Sequence, residues 1–145
     1  MSPTQQHIVE SFLTAFRDKD VAGALQNVSE NASITIFPLR ITDGPKNVMT
    51  ELLSDIVIAF PDLLLTVKNV IELEHGSVVV AEFKVEGTQA ADFLGVINQE
   101  KHLDVDTAWR FTLENGQINH IDAYWCQNQL YRRLAVKRQD QVAIV

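Results

Sequence analysis

The chain has 145 residues, of which 46% are hydrophobic and 21% are charged, and its formal net charge is -7. This length and composition are typical of one globular domain, so we expect a single domain over residues 1–145. An acidic chain lacks the basic surface that nucleic acids and anionic membranes attract, so neither is an expected partner.

The cysteine content, the N-terminal residues and the length of the apolar runs bear on the class of protein and its location. The single cysteine, Cys126, cannot form an intrachain disulfide, and no Cys/His spacing typical of a metal site is present, so we expect no metal. The N-terminus has no basic stretch followed by an apolar core, and no apolar run approaches the ~20 residues of a membrane span. These features predict a soluble, cytoplasmic protein.

The first half of the chain carries mostly helical patterns, separated by turn residues. Apolar side chains at helical spacing, capping residues and prolines set the expected boundaries. In chain order the expected elements are a helix from about Pro3 to Lys19 capped by Ser2, a short helix capped by Asp20, a loop from Asn27 to Asn31, a strand from Ala32 to Phe37, a turn from Thr42 to Pro45, and a third helix that Asp43 caps and Pro61 stops.

The second half reads as a meander of long strands. Alternating and β-branched runs are separated by glycine-containing turns, of which Asn115-Gly116 is the clearest hairpin signal. The expected elements are strands over Leu63–Glu74, Ser77–Glu86, Lys101–Leu113 and Gln117–Trp125, a loop over Thr88–Glu100, and a last helix over Asn128–Val136. Helices followed by such a meander predict an α+β fold with helices on one face of a mostly antiparallel sheet.

Several short motifs, in this order, resemble those of the SnoaL-like polyketide cyclases of the NTF2-like superfamily. They are Ala59-Phe60-Pro61-Asp62, Gly87-Thr88, Phe93-Leu94-Gly95, Asn115-Gly116-Gln117-Ile118 and Tyr124-Trp125. The resemblance implies a cone in which three N-terminal helices pack on a strongly curved sheet and enclose an apolar pocket. It also implies a homodimer or tetramer, no cofactor, and intramolecular aldol cyclisation in which an acidic residue removes a proton beside a carbonyl.

The chain departs from that family pattern at two positions. Many members have His after the Gly-Thr pair, where this chain has Gln89. Many have Asp after the Tyr-Tyr or Tyr-Trp pair, where this chain has Cys126. Both departures remove a titratable group suited to neutral pH.

His120 and Asp122 are the candidate catalytic residues. They lie two residues apart on the last expected strand, so their side chains point to one face of the sheet. A carboxylate beside an imidazole raises its basicity and fixes its tautomer, and such a pair could move a proton to or from carbon. The parity of the strand leaves open whether that face lines a pocket or meets solvent, because Ile118 lies on the His120 side.

The remaining candidates are residues expected to contact a small apolar or polyketide-like ligand. They are Trp109, Phe111, Tyr124, Cys126, Gln89 and Phe60, each of which has core packing as its alternative role. Three functions stay open at this point: a cyclase or isomerase acting through His120 and Asp122, a pocket that binds an apolar molecule without turnover, and a dimerisation module.

Overall fold

The structure, a computed structural model, describes residues 4–136. Within that range the elements in chain order are α1 (Gln5–Arg17), α2 (Val21–Leu25), β1 (Val28–Ile36), β2 (Ile41–Gly44), α3 (Lys46–Ala59), β3 (Leu64–Leu73), β4 (Val78–Thr88), β5 (His102–Glu114), β6 (Gln117–Trp125) and α4 (Gln127–Arg133). Short 3₁₀ turns lie at Phe37–Leu39 and Glu74–Gly76.

All six strands form one sheet in the order β2-β1-β6-β5-β4-β3. Every neighbouring pair is antiparallel except β1 and β6, which are parallel. The α+β class and the mostly antiparallel sheet are therefore confirmed. The detail of three N-terminal helices is not confirmed, because the described residues form four α-helices and α3 follows two strands.

Local capping explains where the first helices begin. Thr4 caps α1 by accepting a hydrogen bond from the amide of His7, at 3.1 Å. The expected cap Ser2 lies outside the described residues. Asp20 caps α2 as predicted, because its carboxylate accepts from the amide of Gly23 at 2.9 Å.

Two expectations about the first half were wrong, and strand pairing is the reason for both. The polar stretch expected as a loop belongs to β1, because Val28 pairs with Ile118 on β6 and a bulge accommodates the residues between Val28 and Ser33. The expected turn around Asp43 is the short strand β2, and Pro45 precedes α3 without a side-chain cap. The amide of Asp43 instead donates to Thr35 Oγ1 at 3.1 Å.

The hydrophobic core lies between the helices and one face of the sheet, which we call the inner face. Alternate residues of β4 and β5 are buried there, and aromatic side chains of α1 pack against them. Phe12 meets Phe111 edge-on at 5.4 Å between ring centroids, and Phe16 stacks on Trp109 at 6.2 Å. The opposite side, the outer face, presents Val78, Val80, Ala108, Arg110, Thr112, His120, Asp122 and Tyr124.

Candidate functional site

A bulge in β6 decides which way the candidate catalytic residues point. Ile118 pairs with Leu113 while His120 pairs with Thr112, so one extra residue, Asn119, lies between the two pairs. The parity of the strand changes there, which is why Ile118, Ile121 and Ala123 are all fully buried. His120 and Asp122 consequently lie on the outer face.

His120 and Asp122 belong to a hydrogen-bonded network that crosses three strands. His120 Nε2 lies 2.8 Å from Asp122 Oδ1, and His120 Nδ1 lies 2.5 Å from the hydroxyl of Ser33 on β1. Arg110 on β5 donates from Nε and Nη2 to Asp122 Oδ2, at 3.0 and 2.7 Å. The network joins Ser33, His120, Asp122 and Arg110 in one chain of contacts, which we call the outer-face network.

Each polar atom of this network faces a partner. Nε2 of His120 faces a carboxylate oxygen of Asp122, and Nδ1 faces the hydroxyl of Ser33, which can donate or accept. The hydrogen bond and the negative charge of Asp122 raise the pKa of Arg110, which stays a guanidinium cation. The Asp122 side chain is 6% exposed, so its charge is compensated inside the protein rather than by water.

Arg110, His120 and Asp122 open onto a groove of about 510 Å³ on the outer face. Its walls include Phe37 and Leu73, together with the carboxylates of Asp43 and Glu74. The groove is charged and lies on the opposite side of the sheet from the apolar core. The candidate acid–base pair therefore forms the expected hydrogen bond but does not face an apolar cavity.

A second, smaller cavity lies on the inner face, between the sheet, α3, α4 and the loop of residues 89–101. Its volume is about 30 Å³, and its lining includes Leu52, Val105, Thr107, Trp109, Phe93 and Leu130. A space of this size holds about one water molecule. None of its lining residues is titratable between pH 3 and 10.

Two buried polar atoms in the lining of this inner cavity lack a partner. Thr107 is 8% exposed and Trp109 is 2% exposed. Among residues 4–136, neither the hydroxyl of Thr107 nor the indole Nε1–H of Trp109 has a hydrogen-bond partner. Buried polar groups are normally paired, so these two atoms are the unusual feature of the residues that line this cavity.

The structure separates the other expected ligand contacts. Trp109 lines the inner cavity, whereas Phe111 is fully buried in the core beside it. Tyr124 lies on the outer face, where it stacks on Phe37 at 4.3 Å between ring centroids. Cys126 is exposed and lies in a surface groove with Gln129, Arg132 and Arg133. The six expected contact residues therefore do not share one cavity.

Phe60 and Gln89 position the loop that covers the inner cavity. Phe60 is fully buried and meets Phe93 of the loop edge-on, at 5.2 Å between ring centroids. Gln89 is 1% exposed and its amide nitrogen donates to the carbonyl of Val96 at 3.1 Å. Both residues hold the covering loop against the sheet.

Three of the short motifs meet at this place. Asp62 accepts a hydrogen bond from the amide of Thr88 at 2.8 Å, and this contact lowers the pKa of Asp62. Gly87 lies so close to Phe60 that an added Cβ would be 2.8 Å from the Phe60 Cβ. The end of α3 and the end of β4 are thereby held together.

Sequence reasoning did not find Ser33, Thr107 or Arg110 as members of these sites. Ser33 reaches His120 through the parallel β1–β6 pairing, and Arg110 reaches Asp122 across the β5–β6 pair. Both contacts depend on register. Of the three, only Thr107 could have been found from the sequence. It is the polar residue among the alternate positions of β5 that are otherwise apolar and buried.

Residues 4–136 contain no group of three or more His, Cys, Asp or Glu side chains arranged to hold a metal ion. None of their helices is both long enough and apolar enough to cross a bilayer.

Comparison with known families decides the affiliation of the chain. The model of the SnoaL-like domain matches residues 9–121, which is most of the chain. The chain belongs to the SnoaL-like domain family. The match spans the sheet strands, α3 and the covering loop, up to the middle of β6.

Solved structures agree with the SnoaL-like fold. AclR from Streptomyces galilaeus, a putative hydroxylase, has 19% sequence identity and a TM-score of 0.80, with 92% of this chain and 97% of that chain covered. A putative polyketide cyclase from Pseudomonas putida KT2440 has 20% identity and a TM-score of 0.81, with 91% and 98% covered. A putative SnoaL-like polyketide cyclase from Jannaschia sp. CCS1 has 19% identity and a TM-score of 0.78, with 95% and 98% covered.

At these identities the likeness establishes the fold and leaves the chemistry of this chain open. Comparison with curated proteins gave no match.

Proposed function

We propose that this SnoaL-like protein binds a compact, largely apolar molecule with one hydrogen-bonding group in the inner cavity and releases it unchanged. The observation that carries this proposal is the pair of unpartnered buried atoms, Thr107 Oγ1 and Trp109 Nε1. The indole N–H calls for an acceptor such as a carbonyl or ether oxygen, and the threonine hydroxyl can donate or accept. Burial without such a partner costs about 1–3 kcal/mol for each group, which a bound ligand would recover.

The covering loop supplies a way for the cavity to grow. Ligand pockets usually measure about 300–1,000 Å³, so a cavity of about 30 Å³ requires expansion before an organic molecule fits. Phe93 and Leu130 are part of its lining, and the loop carrying Phe93 has no strand pairing apart from one bridge between Phe93 and Val96. Outward movement of Phe93 would enlarge the cavity without breaking the sheet.

The inner cavity offers no general base for proton abstraction. Its lining is apolar except for Thr107 and the indole nitrogens, and neither kind of group accepts a proton from carbon near neutral pH. Cys126 occupies the position where many family members have Asp, and it is exposed beside Arg132 and Arg133. This arrangement favours binding over cyclisation.

The experiment compares two probes of similar shape, cyclohexanone and methylcyclohexane, by calorimetric titration followed by chromatography of the recovered probe. Cyclohexanone has the acceptor that Trp109 Nε1 lacks, so we expect it to bind more tightly and to be recovered unchanged. The variant Val105→Phe fills the cavity and is expected to abolish binding, whereas Ile58→Phe, at a 65% exposed position of α3, is its control. Equal binding to both variants, or conversion of the ketone, would contradict the proposal.

A second candidate function is proton transfer to or from a carbonyl compound by His120 and Asp122, as part of the ring closure attributed to family members. The observation in its favour is the 2.8 Å contact between His120 Nε2 and Asp122 Oδ1, beside the outer groove. A ketone deuterium-exchange assay tests it, because the pair would exchange hydrogen at the carbon beside the carbonyl. Exchange that is lost in His120→Gln supports this function, and exchange no faster than in buffer rejects it.

A further inference from the structure

We propose that Ser33, His120 and Asp122 act together as a nucleophile, a base and an orienting carboxylate, and hydrolyse small uncharged esters of carboxylic acids. The site is the outer-face network together with the groove beside it. The inference does not depend on the inner cavity, which lies on the opposite side of the sheet. It also differs from proton transfer at carbon, because it makes Ser33 the group that attacks the substrate.

The hydroxyl, the imidazole and the carboxylate follow one another in hydrogen-bond contact. Ser33 Oγ lies 2.5 Å from His120 Nδ1, and His120 Nε2 lies 2.8 Å from Asp122 Oδ1. A serine hydroxyl is a weak nucleophile until an adjacent base takes its proton, and a third group orients that base. The two ring nitrogens exchange the roles they have in serine proteases, which is possible because the neutral imidazole has two tautomers.

Strand register holds the three groups in this order. Ser33 lies opposite His120 in the parallel pairing of β1 and β6. Arg110 binds Oδ2 of Asp122 through two donors, which leaves Oδ1 to His120. All four side chains stand on strands of one sheet, and sites built on strands hold their groups more precisely than sites on loops. The contact between nucleophile and base is therefore made before a substrate binds.

The outer groove gives a substrate access to this contact. His120 lines the groove, and its side chain is 22% exposed. Ser33 is half-buried and lies two residues before Thr35, which also lines the groove, so the two side chains share one face of β1. The groove volume of about 510 Å³ lies within the ~300–1,000 Å³ of ordinary ligand pockets. An ester seated against His120 would lie beside the Ser33 hydroxyl.

The charges and apolar walls of the groove define the class of ester. The guanidinium of Arg110 is 50% exposed and supplies positive charge in the groove, where the carbonyl oxygen of the ester becomes negative. The carboxylates of Asp43 and Glu74 line the same groove, so they repel anionic substrates. Phe37 and Leu73 provide apolar contact. These features favour a small, uncharged ester.

Hydrolysis takes two steps, from the state in which Asp122 is ionised and His120 is neutral. First, Ser33 Oγ forms a bond to the carbonyl carbon while its proton passes to His120 Nδ1. The bond from that carbon to the alcohol oxygen then breaks, and the proton moves on to the leaving alcohol. Second, water attacks the acyl-serine, one of its protons returns through Nδ1 to Ser33 Oγ, and the acid leaves. The net reaction consumes one ester and one water and yields one acid and one alcohol.

Hydrolysis of 4-nitrophenyl acetate, followed by absorbance and by fragment mass spectrometry of the acetylated protein, tests the proposal. Ser33→Ala removes the nucleophile. Ser29→Ala is its matched control, because Ser29 is also half-buried on β1 but its hydroxyl accepts from the Asn31 amide. Val105→Phe fills the inner cavity, so it separates the failure of this proposal from the failure of the binding proposal. Circular dichroism verifies that each variant keeps its fold.

We expect kcat/KM to fall at least about 100-fold in Ser33→Ala and to stay within about twofold of wild type in Ser29→Ala and Val105→Phe. We also expect an acetyl group on Ser33 of the wild type. Wild-type hydrolysis no faster than that of Ser33→Ala would overturn the proposal, as would acetylation confined to other residues. Activity lost in His120→Gln but kept in Ser33→Ala would assign the reaction to the imidazole alone and would overturn it too.

Discussion

Arg110 and Asp122 lie directly opposite each other on β5 and β6 and are joined by two hydrogen bonds, of 2.7 and 3.0 Å. The two side chains differ in how far they are buried: that of Asp122 is 6% exposed and that of Arg110 is 50% exposed. The carboxylate is therefore the buried centre of the contact, and it also holds His120 in place. Its removal would take away the acceptor that Arg110 and His120 share.

We expect Asp122→Ala to lower the free energy of unfolding by about 2–4 kcal/mol, since it strips the partners from a mostly buried group. Urea titration measures the change. Asp104→Ala, on the same face of β5, is the matched control because its ion pair with Lys84 is much more exposed, and its expected loss is below about 1 kcal/mol. If both variants lost less than about 1 kcal/mol in the free energy of unfolding, the outer-face network would stabilise the fold no more than an exposed ion pair does.

Thr107→Val tests whether the inner cavity holds an unpaired hydroxyl. The two side chains have nearly the same shape, so the substitution removes an orphaned polar atom and keeps the packing. We expect the free energy of unfolding to rise by about 1 kcal/mol. Thr112→Val on the outer face of the same strand, where the residue lines the groove, is expected to change it by less than about 0.5 kcal/mol. A loss of stability in Thr107→Val would reveal a bound water that pairs with the hydroxyl.

Gly87→Ala tests the close approach of β4 to the end of α3. The new Cβ would lie 2.8 Å from the Phe60 Cβ and 3.2 Å from Asp62 Oδ1, so the two segments must separate. We expect a loss of about 1–3 kcal/mol in the free energy of unfolding. Glu86→Ala, one residue earlier and half-buried, is the control, with an expected loss below about 1 kcal/mol. Equal stability of Gly87→Ala and wild type would contradict the tight contact.

The contact between Asp62 and the Thr88 amide predicts a pH dependence with a definite sign. The pKa of Asp62 is lowered in the folded chain, so the unfolded chain binds more protons in acid and stability rises with pH. The contribution is complete above the unfolded pKa of about 3.9 and is lost as the pH falls through the lower folded value. Asp62→Asn should therefore be less stable than wild type at pH 7, with a difference that shrinks below about pH 4. Urea titrations across this range measure it, and a difference independent of pH would contradict the contact.

The parts of the fold that follow from local patterns were predicted well. The strict alternation of β5 and the turn at Asn115-Gly116 place two long strands and their hairpin to within a residue of the observed bounds. The end of α3 before Pro61 follows from the steric restriction that proline places on the preceding residue. These signals act over a few residues and need no knowledge of distant partners.

The parts that depend on distant partners were not predictable. Residues 28–31 look like a polar loop, yet Val28 joins a parallel pairing with Ile118, ninety positions along the chain. A bulge at Asn119 reverses the parity of β6, so alternation alone could not assign His120 and Asp122 to a face. The same limit applies to the candidate site, because Arg110 and Ser33 reach the network only through strand register.

The most direct test of the binding proposal is the indole N–H signal of Trp109 in a ¹H–¹⁵N spectrum during titration with cyclohexanone. The chain has two tryptophans, and Trp109→Phe assigns the signals. Trp125 serves as the internal control, because its indole N–H already donates to Gln127 Oε1 at 2.7 Å. The proposal predicts a saturable downfield shift of the Trp109 signal as it gains an acceptor, with the Trp125 signal moving less. A Trp109 signal that stays in place up to saturating ketone would contradict binding in the inner cavity.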